Sequence, residues 1–185
     1  MSRTICILYG MNEGPAIAVA FTQACKRAGF RVINDPTTAD IIFAHSGGCM
    51  LIPPDNSAQT VVLVGIPYWP GRSLLISTIT KIRRDFASHI QRHARRAFLM
   101  KCIYHVRYSM QLYREWLMFT QLPLDRPWNN RQRQIIVRNR FDMYCVPSVF
   151  DAPFNGPRVF ISLPGEHDDC WSNPHRYIEL LQSKA

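Results

Sequence analysis

A chain of 185 residues, 47% hydrophobic and only 19% charged, argues against disorder and predicts a single domain, 1–185, with a sizeable core. Its six cysteines, Cys6, Cys25, Cys49, Cys102, Cys145 and Cys170, include no C-x-x-C pair, which excludes a compact disulfide framework and leads us to expect a reducing, cytoplasmic setting. The formal net charge of +9 sits in one block: residues 81–140 hold 14 of the 22 Lys and Arg with three acids, a balance of +11, and the rest sums to −2.

Asn12, Glu13 and Pro15 interrupt the N-terminal apolar pattern, so no signal peptide is expected, and no run reaches the roughly 20 apolar residues of a membrane helix. Thr4–Tyr9 is a compact apolar strand closed by Gly10. A helix is expected from Pro15, carrying Ile17, Val19, Phe21, Ala24 and Cys25, with Gly29 as its stop. Strands follow at Arg31–Asn34, Ile41–Ala44 and Thr60–Gly65.

From about Ser73 to Leu122 the period changes to that of helices, with Leu75, Ile79, Ile82, Phe86 and Ile90 spaced by three and four. Strand patterns return at Gln134–Arg138 and Arg158–Leu163, and a last amphipathic helix begins near Pro174. Alternating strands and helices imply an α/β fold with a mostly parallel central sheet flanked by helices. One link resists this scheme: about six residues, Asp35 to Asp40, join the second and third strands, against the dozen or more of an ordinary crossover.

Three stretches at strand ends carry chemistry. The first is Ala44-His45-Ser46-Gly47-Gly48, small-x-Ser-x-Gly directly after a buried strand. In that form the strand turns sharply into a helix, the backbones approach closely, and the serine hydroxyl is left exposed. A polar turn accounts equally well for Ser-Gly-Gly taken alone. Adjacent residues on a strand point to opposite faces, so His45 is expected to be a packed, hydrogen-bonded neighbour and not the base.

Asp142 follows the strand at Ile135–Arg138, with Pro147 five residues on, and His167 follows the strand at Phe160–Leu163. Asp151 is a fallback for the acid, while Asp168 and Asp169 adjoin His167 and are poorly placed to reach round to its ring. Gly10-x-x-x-Gly14 lacks the spacing of a phosphate-binding loop. His89-x-x-x-His93 has the spacing of a metal pair but no Glu or Cys partner.

The order Ser, Asp, His, each at a strand end, resembles the α/β-hydrolase superfamily, and Ala44–Gly48 is similar to its Gly-His-Ser-x-Gly elbow with Ala44 in place of glycine. The resemblance begins at the family's third strand and covers most of the chain except the helical insert, about 73–123, which stands where the family places its lid.

It implies Ser46 as nucleophile, His167 as base, Asp142 as acid, and an oxyanion hole from the backbone amides of Gly47 and Met11. Tyr9-Gly10-Met11 stands where the family carries His-Gly. Substrate shape would be set by candidates in and beside the lid, Trp69, Tyr108 and Trp116. No cofactor and no metal is implied. The expected activity is cleavage of an ester, thioester or similar acyl bond in a small-molecule substrate, with the basic block pointing to an anionic one.

The competing expectation is a non-catalytic protein of the same fold whose basic helices bind nucleic acid or a membrane surface. No specific nucleic-acid motif accompanies that charge. A flavodoxin-like nucleotide binder would leave Asp142 and His167 without roles. Oligomeric state is not legible.

Overall fold

In a computed structural model of the chain, the described residues are 2–10, 13–66, 132–142 and 158–182. The chain divides into two compact units, Met1–Tyr68 with Asp125–Ala185, and Trp69–Leu124. All described residues belong to the first. The expected lid, about 73–123, lies outside them.

Six strands form one parallel sheet: β1 (Thr4–Leu8), β2 (Arg31–Ile33), β3 (Ile41–His45), β4 (Thr60–Val64), β5 (Arg133–Asn139) and β6 (Arg158–Leu163). Their order is β2-β1-β3-β4-β5-β6, and every pairing is parallel. The expected α/β class with a parallel sheet is what the chain adopts. β3 and β4 are buried at every position, as strands covered on both faces must be.

The pleat sorts their side chains by parity. Ile5, Ile7, Ile41, Phe43, Val62, Val64, Ile135 and Val137 pack on one face with Phe21 and Cys25 of α1 (Val19–Arg27). Cys170 and Trp171 of α2 (Asp169–Ser172) and Tyr177, Ile178 and Leu181 of α3 (Pro174–Gln182) complete that layer. Cys6, Ile42, Ala44, Val61, Leu63 and Ile136 face the other way, against Ala39, Cys49, Ile52, Ala58 and Ile66. Phe21 and Phe43 meet at 4.3 Å between ring centroids, and Trp171 stands edge-on to Phe21 at 5.7 Å. Each buried phenylalanine contributes about 1.5–3 kcal/mol through its removal from water.

Three local readings are refined. α1 begins at Val19 and not at Pro15, because Pro15 sits in a turn closed by the Ile17 amide on the Gly14 carbonyl at 3.0 Å. It ends as expected at Gly29, with φ at +88°. There Phe30 N–H donates to the Cys25 carbonyl and Gly29 N–H to that of Lys26, the paired bonds of a left-handed C-terminal cap.

The second concerns the short link. β2 and β3 lie on opposite sides of β1, with Ile33 level with Cys6 and Ile41 level with Ile5. Since β2 has only three residues, the chain steps back by about one residue along the strand axis while crossing about 10 Å sideways. Six residues suffice for that, and no crossover helix is required. Asp40 anchors the landing, accepting from both the amide and the hydroxyl of Thr4 at 2.7 Å.

The third is at Ser46, where β3 leads into a six-residue 3-10 turn, Ser46–Leu51, in place of the α-helix the elbow form leads one to expect. Gly48 lies so close to β1 that a Cβ there would stand 2.4 Å from the Leu8 carbonyl oxygen. Only a hydrogen fits, and the tight turn is the consequence.

Candidate functional site

All six strands point the same way, so their C-terminal ends and the loops that follow share one edge of the sheet. The chain runs from β1 outward to β2 and then back to β3 on the other side. The crevice at such a reversal is where open α/β sheets bind ligands. Ser46 follows β3 there, and the Gly10–Gly14 loop follows β1.

Ser46 has φ at +49° and is the one described non-glycine residue with positive φ. That conformation costs an L-residue about 1–2 kcal/mol. The loop after β1 abuts it: a Cβ on Gly10 would lie 3.0 Å from Ser46 Cβ. Gly47 is buried in the turn behind the serine. Met11, expected to supply a second backbone donor, lies outside the described residues, as do Trp69, Tyr108, Trp116 and the fallback acid Asp151.

The other two expected residues meet. His167 Nδ1 stands 2.8 Å from Asp142 Oδ2, and the Asp142 carboxylate is fully buried. The loop from β5 to Asp142 is tied to the loop after β6 by backbone bonds from the Arg140 and Phe141 amides to the Leu163 and Gly165 carbonyls, at 2.7 and 2.9 Å.

Gly65, closing β4 at φ +59°, forms the floor beneath the pair. A Cβ at Gly65 would come within 2.9 Å of His167 Cε1 and 3.0 Å of Asp142 Oδ2. Gly65→Ala is therefore expected to strain the backbone and push acid and imidazole apart. If the pair is catalytic, turnover should fall by about 100-fold, the scale of an ångström-sized misplacement, with the circular dichroism spectrum unchanged. Steady-state kinetics beside the spectrum checks this.

Asp168 and Asp169 are engaged elsewhere. Asp168 Oδ1 lies 3.9 Å from His45 Nε2 with its side chain 63% exposed. Asp169 accepts from Asn173 at 2.6 Å and lies 3.4 Å from Arg176 Nη1.

His45 is fully buried and hydrogen-bonded, as expected of a packed neighbour. Its Nδ1 lies 2.9 Å from Glu13 Oε2 and its Nε2 3.0 Å from the His167 carbonyl oxygen. Its ring centroid is 4.7 Å from that of His167, which places the imidazole of His167 beside the residue preceding Ser46.

Two functional-looking side chains were not legible in the sequence. Glu13 Oε2 accepts from the Gly10 amide at 2.6 Å as well as from His45, and its Oε1 accepts from Trp171 Nε1 at 3.2 Å. Asn139, buried at the end of β5, donates to the Glu166 carbonyl at 2.7 Å and to that of His167 at 3.3 Å. Its Oδ1 accepts from the Tyr177 hydroxyl at 2.7 Å. The available signals were weak: an acid in a glycine-rich loop, and an amide ending an apolar strand.

Burial opposes charge on His45, but the hydrogen bond and charge of Glu13 outweigh it and hold the imidazole above its ordinary pKa. On Glu13 burial is likewise the largest effect and opposes ionisation. The bonds and charge of His45, with the Trp171 and Gly10 donors, overcome it and hold the carboxyl below its ordinary value. His45, His167 and Asp168 bring three potential metal ligand atoms within 4.8 Å of one another. Both nitrogens of His45 already face acceptors, however, and keep no lone pair for a metal while they donate to them.

No protein-family profile and no curated protein matches the chain. Solved structures do. A membrane phospholipase A, described as a novel bacterial virulence factor, is 11% identical with a TM-score of 0.67, over 98% of this chain and 77% of its own. MGS-MChE2, an α/β-hydrolase enzyme from the metagenome of sediments of the Mar Chica lagoon in Morocco, is 12% identical with a TM-score of 0.57, over 98% and 89%. A thermophilic esterase from Thermogutta terrifontis is 13% identical with a TM-score of 0.54, over 97% and 88%. At these identities the likeness is one of fold.

Proposed function

Because the chain has the α/β-hydrolase fold, we propose that it is a serine hydrolase acting on a carboxylic ester, thioester or similar acyl bond. The observation that carries this reading is the strained Ser46 at the end of β3, on the same sheet edge as a buried carboxylate hydrogen-bonded to an imidazole.

In this reading Ser46 Oγ attacks the acyl carbonyl while His167 Nε2 takes its proton. The bond to the leaving group then breaks, and His167 returns the proton to it. Water, deprotonated by the same imidazole, adds to the acyl-enzyme; the acyl C–Oγ bond breaks as His167 passes that proton to Ser46 Oγ, releasing the acid and the free serine. Asp142 holds Nδ1 protonated, which leaves Nε2 as the basic nitrogen, and steadies the imidazolium. The Gly47 and Met11 amides are assigned to the oxyanion. No step requires a metal or cofactor.

Pre-steady-state hydrolysis of a p-nitrophenyl ester tests this directly. An initial burst of nitrophenol proportional to enzyme concentration is expected. Linear turnover without a burst that survives Ser46→Ala would remove the acyl-enzyme on Ser46.

The basic block at 81–140, most of it outside the described residues, supports an anionic substrate through attraction that salt screens. Raising ionic strength should then increase KM for a charged ester and leave that for a neutral one unchanged; equal responses would exclude this preference. The alternative, a non-catalytic protein that binds nucleic acid or a membrane surface through the same block, predicts salt-dependent binding without a burst.

Among the described residues no helix is long and apolar enough to cross a membrane.

A further inference from the structure

We propose that Glu13 and His45 are a positioning pair, a buried ion pair that locks the loop after β1 to the loop carrying His167, and that turnover requires His45 to be cationic. The inference rests on the serine-hydrolase reading and deepens it by naming what holds two halves of the site in register.

The charge state follows from the partners. A backbone carbonyl can only accept, so His45 Nε2, 3.0 Å from the His167 oxygen, carries a hydrogen. Glu13 accepts the Gly10 amide and Trp171 indole hydrogens; these donors and His45 outweigh burial and hold its carboxyl below the ordinary value, so it is a carboxylate, and His45 Nδ1 facing it at 2.9 Å carries a hydrogen too. A ring protonated on both nitrogens is an imidazolium.

The chain of bonds thus runs from the Gly10 amide through Glu13 and His45 to the His167 backbone. It joins the loop assigned to the oxyanion to the loop holding the base. The His167 carbonyl is gripped from the other side by Asn139. Loss of one proton from His45 leaves a ring lone pair against either the Glu13 carboxylate or the His167 oxygen, and one end of the chain must open.

The described charged and titratable groups around His45 are Glu13, Asp168 at 3.9 Å and the His167 ring at 4.7 Å. The Cys170 thiol is held well above its ordinary pKa, first by burial and then by the charges of Glu13 and Asp168, so it stays neutral. Two carboxylates beside His45 favour its cation.

His45 is raised, so its stabilisation is present below the ordinary imidazole value and lost as pH rises through the raised one. Glu13 is lowered, so its stabilisation is present above the ordinary carboxylate value and lost as pH falls through the lowered one.

Glu13→Gln tests the pair. It keeps the shape of the side chain and removes its charge. In wild-type protein, kcat/KM for a neutral aryl ester should decline as rising pH carries His45 through its raised pKa. Glu13→Gln should move that decline down by about one pH unit or more, the scale set by an opposite charge at this distance. Glu13→Asp should restore part of the shift. A uniform loss of activity with the alkaline limb unmoved would overturn the proposal.

Amide hydrogen exchange supplies a readout independent of turnover. Peptides carrying Gly10 and His167 should both exchange faster in Glu13→Gln, whereas acceleration of the first alone would overturn the lock. If wild-type protein gives neither turnover nor burst, the hydrolase reading fails, and with it the catalytic role of the pair. Exchange then decides whether the lock itself exists.

Discussion

Turnover of a short aryl ester is expected to fall about a million-fold in Ser46→Ala, the scale seen when the nucleophile of a serine triad is removed. Alanine deletes one oxygen and adds no volume, so the site loses its attacking atom and little else. The strained φ of +49° at this position is retained, and the melting temperature should stay close to that of the parent. Steady-state kinetics beside a thermal melt separates the two effects. Retention of most activity by a folded Ser46→Ala would remove Ser46 from the chemistry.

Asp142→Asn is expected to lower kcat by about ten thousand-fold, the cost of presenting the wrong imidazole tautomer. The buried carboxylate accepts from His167 Nδ1 at 2.8 Å. An amide in its place either turns an NH2 group toward Nδ1, which forces the hydrogen onto Nε2, or keeps a weaker acceptor without the charge that steadies the imidazolium. The shape of the side chain is unchanged, so binding should suffer much less than kcat. Comparable losses in kcat and in substrate affinity would point to a structural role for Asp142.

The legible part of the molecule was the part written in local pattern. The apolar runs of β1, β3, β4 and β5 and the turn residues around them marked strands, because a sheet covered on both faces requires nearly continuous burial. Gly29 marked the end of α1 through its left-handed backbone. Ser46, Asp142 and His167 stood out because each follows a strand end, and parallel strands bring such ends to one edge.

The contacts that join distant segments were illegible. Glu13 and His45 are 32 residues apart, His45 and the His167 carbonyl 122, and Asn139 and Glu166 27. Nothing local encodes these pairings; the sheet order does. The short β2–β3 link looked like an objection to the fold because sequence does not display register. Once β2 is seen to stop level with Cys6, the link has little distance to recover. The 3-10 turn after Ser46 is a similar case, set by the close approach of Gly48 to the Leu8 carbonyl and not by helix propensity.

Covalent labelling reaches an activated serine at position 46 without knowledge of the substrate. The protein, with Ser46→Ala and His167→Ala beside it, would be treated with a fluorophosphonate and weighed intact by mass spectrometry. One phosphonyl adduct on the wild-type chain, absent from both folded variants, is the predicted result. No adduct on the folded wild-type chain, or one that persists in Ser46→Ala, would contradict it.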